Sequence, residues 1–449
     1  MSTAGSISHE HLTISDRHPK ALYLLFFTEM WERFSYYGMR ALLTLYMVTE
    51  IADGGLGWAS QQAGQLYGIY TGLVYVTPLI GGFIADRLIG FRYAVLIGGS
   101  IMALGHASLA VDSMIFFYLG LFCLIIGNGL FKPNISSMVG QLYPEGSPLK
   151  DSAYTIFYMG INIGAFIGVL ICGYLAEKIG WHWGFGAAGI GMVFGLVLFY
   201  LGQGMLGKIG LKPEKKQNEN QEPKEPLTKV EIDRLVVVFV MSFFSIIFWM
   251  CFEQGGASMN IYALKFTDRI IGGWEMPASW FQSVNSMFIF MFAPLFSWLW
   301  VKLESYNLNP NGLMKFAIGL LLLGFGFISL VVGSSQIPSG AETAKVSMLW
   351  LVLAYLFQTY GELCLSPVGL SFVNKLSPKR LLGMMFGIWF LASAIGNYIA
   401  GAITGFIDEI SRNASLSYFF GIFVVAAATA ALVLYVLSFF LRKLMHGVK

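Results

Sequence analysis

Seven ionisable side chains lie inside long apolar stretches of the sequence. Glu29, Glu32, Arg33 and Arg40 share the first stretch, Lys132 stands in the fourth, Glu253 in the seventh and Glu362 in the tenth. An ionised group at a bilayer centre costs about 2.5–3.5 kcal/mol on insertion scales, so seven unpaired ones would cost on the order of 20 kcal/mol, more than a domain's usual stability. They must pair or face water. Glu29, Glu32 and Arg33 stand at i, i+3 and i+4 on one helix face, a spacing at which Glu29 and Arg33 neutralise each other locally. Lys132 and Glu362 have opposite signs on separate stretches, and a cavity with a cation on one wall and an anion on the other suits a zwitterion. Four acids against three bases leave one carboxylate in excess, and such a group in a low-dielectric cavity is suited to taking up and releasing a proton.

Other chemistry has little to stand on. No GxxxxGK[ST] loop occurs, so ATP is not the energy source; an ion gradient is, and one proton moving down 100 mV supplies about 2.3 kcal/mol. Cys123, Cys172, Cys251 and Cys364 fall in apolar stretches without CxxC spacing, which argues against a disulfide frame or zinc site. No Ser-His-Asp or metal-ligand group falls on adjacent stretches, so neither an enzyme nor a metal or other cofactor is expected beyond the coupling proton. His9-Glu10-His11 reads as a solvated tail and His106 as a satisfied polar residue.

The elements that must position these groups follow from composition. Of 449 residues 12% are charged and 56% hydrophobic, whereas soluble domains carry about 25% charged residues. A soluble globular enzyme is excluded, and lipid must solvate most of the surface. The net charge of +3, with no basic run interleaved with aromatics, gives no reason to expect nucleic acid. Apolar segments near the length of a spanning helix lie at 21–50, 62–86, 92–111, 114–139, 152–177 and 183–206, and again at 234–265, 278–303, 312–334, 346–375, 381–407 and 416–441. A Lys- and Pro-rich gap separates the two sets. The expectation is an all-α membrane protein: tail 1–20, six-helix bundle 21–206, linker 207–233, six-helix bundle 234–441 and tail 442–449. Lys and Arg cluster on the linker side of alternating segments, which places the linker and both termini in the cytoplasm. The N-terminal stretch has no apolar core followed by a small-residue cleavage site, so no cleaved signal is expected.

The second half repeats the first. Gly127/Gly361, Pro133/Pro367, Ser137/Ser371, Val139/Val373, Leu142/Leu376 and Pro144/Pro378 coincide at one offset. A parallel repeat of six-helix halves is a transporter architecture with its substrate site near the midplane. By that repeat Lys132 corresponds to Ser366, one turn from Glu362, so the two charges project into one central space.

The residues Thr28 to Arg40, TEMWERFSYYGMR, resemble the ExxERFxYYG signature of the proton-dependent oligopeptide transporters, a branch of the major facilitator superfamily. GFIADRLIGFR at 82–92 resembles the superfamily's motif between the second and third helices. FYMGINIG at 157–164, Phe248-Trp249 with Phe252-Glu253-Gln254, PASWFQSVN at 277–285 and GELCLSPVGLS at 361–371 extend the likeness. The resemblance implies the superfamily fold, twelve helices in two bundles around a central cavity, and proton-coupled import of di- and tripeptides across a plasma membrane, a bacterial inner membrane. It implies that Arg40, Lys132 and Arg33 hold the peptide carboxylate and that Glu362, Asn162 and Asn285 hold the amino terminus. Tyr37, Tyr75, Trp249 and Trp389 would form side-chain pockets, with Ser393 beside them. Glu253 would be a proton site pairing with Arg40 in the empty state, and Glu29, Glu32 and Arg33 would couple proton to peptide. Lys132 and Glu362 could bridge across the empty cavity. Asp86 and Arg87 fit a cytoplasmic gate contact.

Two departures stand out. The linker is too short for the extra helix pair that many prokaryotic members insert, and Ser286 stands where the family carries proline. Alternatives on the same fold are a carrier of amino acids, nitrate or peptide-like drugs, or a peptide sensor that transports nothing. The lipid bilayer is the expected surrounding, with no obligatory protein partner.

Overall fold

The computed structural model describes residues 17–144, 147–212 and 226–448. The His9-Glu10-His11 tail and the middle of the linker lie outside the described residues. Six long helices make the first half: α1 (Lys20–Val48), α2 (Ser60–Ile84), α3 (Phe91–Leu109), α4 (Met114–Gln141), α5 (Leu149–Lys178) and α6 (Trp181–Gly202). The second half holds α7 (Lys229–Phe252), a short α8 (Ser258–Lys265), α9 (Phe281–Ser305), α10 (Gly312–Ser334), α11 (Leu349–Leu376), α12 (Leu382–Thr404), a short α13 (Ile407–Asn413) and α14 (Leu416–Leu444). Twelve long helices are thus present among the described residues, and ten of the helical runs are long and apolar enough to cross a membrane. The other two are α1, loaded with Glu29, Glu32, Arg33 and Arg40, and α3, which spends Arg92 and His106 within 19 residues.

Two boundaries differ from the sequence reading. The linker ends earlier than residue 233, because Thr228 and Glu231 form a capping box that starts α7 at Lys229. The segment 234–265 is two helices: α7 breaks into a 3-10 turn at Glu253–Gly255, and α8 begins after Ala257. Hydropathy cannot register that break, because its residues other than Glu253 and Gln254 are small and uncharged. The all-α expectation is also modified by two minimal β pairs, Thr267–Asp268 with Val346–Ser347 and Ile270–Ile271 with Trp274–Glu275, the latter turned by Gly272 and Gly273 at positive φ.

The repeat has a packing cause. A Cβ on Gly127 of α4 would lie 2.6 Å from the carbonyl oxygen of Gly98 in α3, and one on Gly361 of α11 would lie 2.7 Å from that of Gly319 in α10. Each half therefore needs a glycine at the same place for the same close helix crossing. The halves meet through a symmetric pair of contacts, α2 with α12 and α5 with α9. The first and last described segments lie near the linker: His18 bonds Tyr143 just after α4, and His446 bonds Asp233 at the start of α7. Arg92 holds the carbonyls of Gly207 and Ile209. This is the linker face.

On the opposite face the halves are tied together. Thr44 donates to the carbonyl of Gly256 at 2.8 Å, and Asn260 and Gln282 both donate to that of Ala41. The Glu177 carboxylate at the end of α5 accepts from the backbone N–H groups of Ala278 and Ser279 and from the Ser279 hydroxyl, just before α9. Along α2 and α12 the approach is closer still: a Cβ on Gly401 would meet Gly68 N and Gly64 O at 2.4 Å. Backbone cannot yield as a flexible side chain would, so Gly401→Val is expected to cost about 3 kcal/mol, the upper end of ordinary overpacking. The check is the unfolding temperature of the detergent-solubilised protein, with Gly387→Ala as control, since a Cβ there makes only an ordinary 3.6 Å contact with Leu79.

Candidate functional site

α1 threads the first bundle and buries its charged triad fully. Arg33 Nη2 donates to Glu32 Oε1 at 2.6 Å, its Nε donates to the other Glu32 oxygen, and Nε also lies 3.2 Å from Glu29 Oε1. Here the structure revises the local pairing. The i, i+4 partner Glu29 is present, but the long arginine arm turns back onto its own neighbour Glu32 in a two-pronged contact that helix spacing does not anticipate. Asn128 of α4 accepts a third contact at 3.4 Å, and its amide is anchored on the Val74 carbonyl of α2. The second Glu29 oxygen is buried without a hydrogen-bond partner among the described residues. Two acids against one base make this group the place where the excess negative charge collects.

Two turns along α1, Arg40 crosses to the other half. Its Nη2 lies 3.3 Å from Glu253 Oε1, which also accepts from the Tyr67 hydroxyl at 2.6 Å. Glu253 occupies the 3-10 turn between α7 and α8, where the helix break projects the carboxylate inward. Gly256 in the same turn has no room for a side chain, because a Cβ would meet Tyr67 Oη at 1.9 Å. The pair thus adds a buried ionic contact between the halves to the Lys178–Glu275 and Arg269–Glu177 pairs at the far end of α5.

Between the halves lies a cavity whose wall includes Tyr37, Arg40, Tyr75, Trp249, Asn285 and Glu362. Lys132 Nζ sits 4.8 Å from the centre of the Tyr75 ring, and the Arg40 guanidinium 5.4 Å from that of Tyr37, so aromatic faces hold both cations. On the other side Asn285 Nδ2 donates to Glu362 Oε2 and to Thr359 Oγ1, each at 3.0 Å. α9 runs as a regular helix through Asn285 and Ser286, so the absence of proline there does not disturb it.

Some expected members stand elsewhere. Arg33 is 1% exposed, taken up by the two glutamates, and is absent from the cavity wall. Lys132 is likewise absent from the cavity wall, held against the Tyr75 ring, and forms no ion pair with Glu362. Asn162 is buried and donates to the Tyr158 carbonyl of its own helix. Trp389 packs against Phe316 of α10, and Ser393 donates to the Trp389 carbonyl, both off the cavity wall. Asp86 and Arg87 are exposed on the linker face in a π-helical turn, with Arg87 over the Phe83 ring and no ion pair between them. His106 bonds the Ser35 hydroxyl at 2.6 Å, but its Nδ1 has no partner among the described residues, so it is only half satisfied.

Sequence reasoning passed over Tyr67, Gln282, Ser286, Tyr355 and Gln358. Tyr67 belongs to an i, i+4, i+8 stripe with Thr71 and Tyr75 on α2, a signal that was there to find. The others line the cavity from α9 and α11, and nothing in their spacing marks them.

A family model described as the POT family matches residues 92–221 and 218–420. The peptide transporter YePEPT of Yersinia enterocolitica is 36% identical over 96% of both chains. A di-/tripeptide transporter of Lactococcus lactis subsp. cremoris is 32% identical over 96% of this chain and 97% of its own. Among solved structures, the peptide transporter POT in complex with sulfate superposes with a TM-score of 0.87 at 34% identity over 96% of both chains.

Proposed function

The chain belongs to the POT family, and from that premise we propose that it is a proton-coupled symporter importing di- and tripeptides by alternating access. The observation that carries the reading is the charge layout of the central cavity: Arg40 on the α1 wall, with Lys132 behind Tyr75, faces Glu362 and Asn285 on the walls of α11 and α9. A peptide's carboxylate meets the cations and its ammonium group meets Glu362. An inorganic anion has no group for Glu362 to hold, which disfavours the nitrate alternative, and a sensor with a fixed cavity has no use for a buried Arg40–Glu253 pair that a single proton can open.

The proton step follows from competition. Ionised Glu253 occupies Arg40. Protonated, it releases the guanidinium, which is then free for the peptide carboxylate, and Tyr67 remains as a neutral hydrogen-bond partner. Glu29, Glu32 and Arg33 form the second charge group, one carboxylate in excess, and the Glu29 oxygen without a partner is the acceptor for a coupled proton. Closure on the far face is held by Glu177 and the α2–α12 contact. Entry and exit then require the halves to rock about the cavity. The Lys and Arg bias supports a cytoplasmic linker and cytoplasmic termini, and bacterial relatives support a plasma-membrane location.

Purified protein in proteoliposomes is expected to accumulate labelled dialanine when the outside is acidic and the interior negative. Uptake no greater than in empty liposomes would overturn the proposal.

A further inference from the structure

We propose that the second half carries, on the linker face, a binding site for a phosphate-type oxyanion, supplied as the headgroup phosphate of an anionic lipid. A cavity of about 800 Å³ opens where the ends of α9, α11 and α14 meet the start of α10. Three cations from three helices line it: Lys315 from α10, Lys375 from α11 and Arg442 from α14. Glu304 is the acid in this wall among the described residues, and its Oε2 already accepts from Asn309 at 2.7 Å. The wall therefore carries three cations against one acid among the described residues. Lys315 is half-buried with Nζ 4.4 Å from the centre of the Trp300 ring; Glu304 attracts it across the wall without closing an ion pair, and Arg442 forms no ion pair with a carboxylate among the described residues. Gly312 and Asn311 bring the N-terminal end of α10 to the same wall, adding its partial positive charge.

The surroundings select the source of the anion. The end of α9 beside the cavity exposes Trp298 and Val301, and exposed Tyr306 and Leu308 follow it. Lys302 lies over the Trp298 ring at 4.6 Å. An aromatic and apolar collar carrying cations marks the depth at which headgroups meet acyl chains. A basic pocket between helix ends at that depth accepts a lipid phosphate while its chains lie along the collar. This site shares no residue with the central cavity, and it stands or falls independently of the peptide reading.

The test uses the full chain, purified and analysed by native mass spectrometry after incubation with phosphatidylglycerol or phosphatidylcholine. Wild-type protein is expected to retain phosphatidylglycerol selectively, and Lys315→Gln with Arg442→Gln is expected to weaken that retention about thirtyfold, from the loss of two basic groups at a membrane surface. Lys315→Arg with Arg442→Lys keeps the charge and should keep the lipid, which separates a lost site from a damaged fold. Equal retention of both lipids, or equal retention by wild type and the Gln variant, overturns the site. If inorganic phosphate alone displaces the lipid at millimolar concentration and stabilises the lipid-free protein equally, the lipid assignment is overturned and a soluble anion takes its place.

Discussion

Glu253→Gln is expected to abolish the accumulation of dialanine driven by an acid-outside gradient while leaving exchange of peptide for peptide intact. The glutamate is the group that both binds Arg40 at 3.3 Å and sits within reach of a donor that serves either protonation state, the Tyr67 hydroxyl at 2.6 Å. Glutamine has nearly the volume of the protonated acid and carries no charge, so it holds Arg40 no more tightly than the protonated acid would and the cavity still binds peptide. What is lost is the ability to shed a proton on the other side. One proton falling through 100 mV supplies about 2.3 kcal/mol, a concentrating power of about fiftyfold, and the variant should forfeit it down to the level of a no-gradient control. Counterflow measured in the same vesicles supplies the internal reference, because exchange needs the halves to rock but needs no net proton movement. Accumulation that survives the substitution would move the proton site away from Glu253 and leave the Glu29 group as the remaining carrier.

The residues that carry this argument were legible in the sequence to different degrees, for physical reasons. Ionisable groups inside apolar stretches stand out because lipid makes them costly, so Glu29, Glu32, Arg33, Arg40, Lys132, Glu253 and Glu362 identify themselves. Their partners do not, since a partner is chosen by packing between helices far apart in sequence. Arg40 reaches Glu253 across 213 positions, and only the family resemblance suggested that pair. Arg33 is half legible: helix spacing finds its pair with Glu29, which is present at 3.2 Å, but not the two-pronged contact that a flexible arginine makes with the adjacent Glu32. The turn that breaks the seventh segment at Glu253–Gly255 leaves no mark in hydropathy. The glycine repeat was visible as coincidence, and its cause, the crossings at Gly98 with Gly127 and at Gly319 with Gly361, needs coordinates. Uncharged cavity residues such as Gln282 and Ser286 carry no penalty that would single them out. Trp389 and Ser393 show that an aromatic or hydroxyl assigned to a pocket can instead sit in the packing behind it.

Glu362→Gln is expected to weaken binding of free dipeptides about tenfold to a hundredfold, because a hydrogen bond to a charged partner contributes about 1.5–3 kcal/mol. The substitution is conservative where it stands. Asn285 donates to Glu362 Oε2 at 3.0 Å, and a glutamine side-chain oxygen can accept the same bond, so the wall keeps its shape and only the negative charge goes. The loss should therefore appear solely for ligands that present an ammonium group. Dialanine and its N-acetylated form, compared as competitors of labelled-peptide exchange, separate the two effects: wild type should prefer the free amine strongly, and the variant should treat the two nearly alike. The carboxylate end supplies the complementary control, since Arg40 and Lys132 are untouched and a C-terminally amidated peptide should be penalised equally in both proteins. A variant that loses free and acetylated peptides by the same factor would show that Glu362 shapes the cavity and does not read the amino terminus.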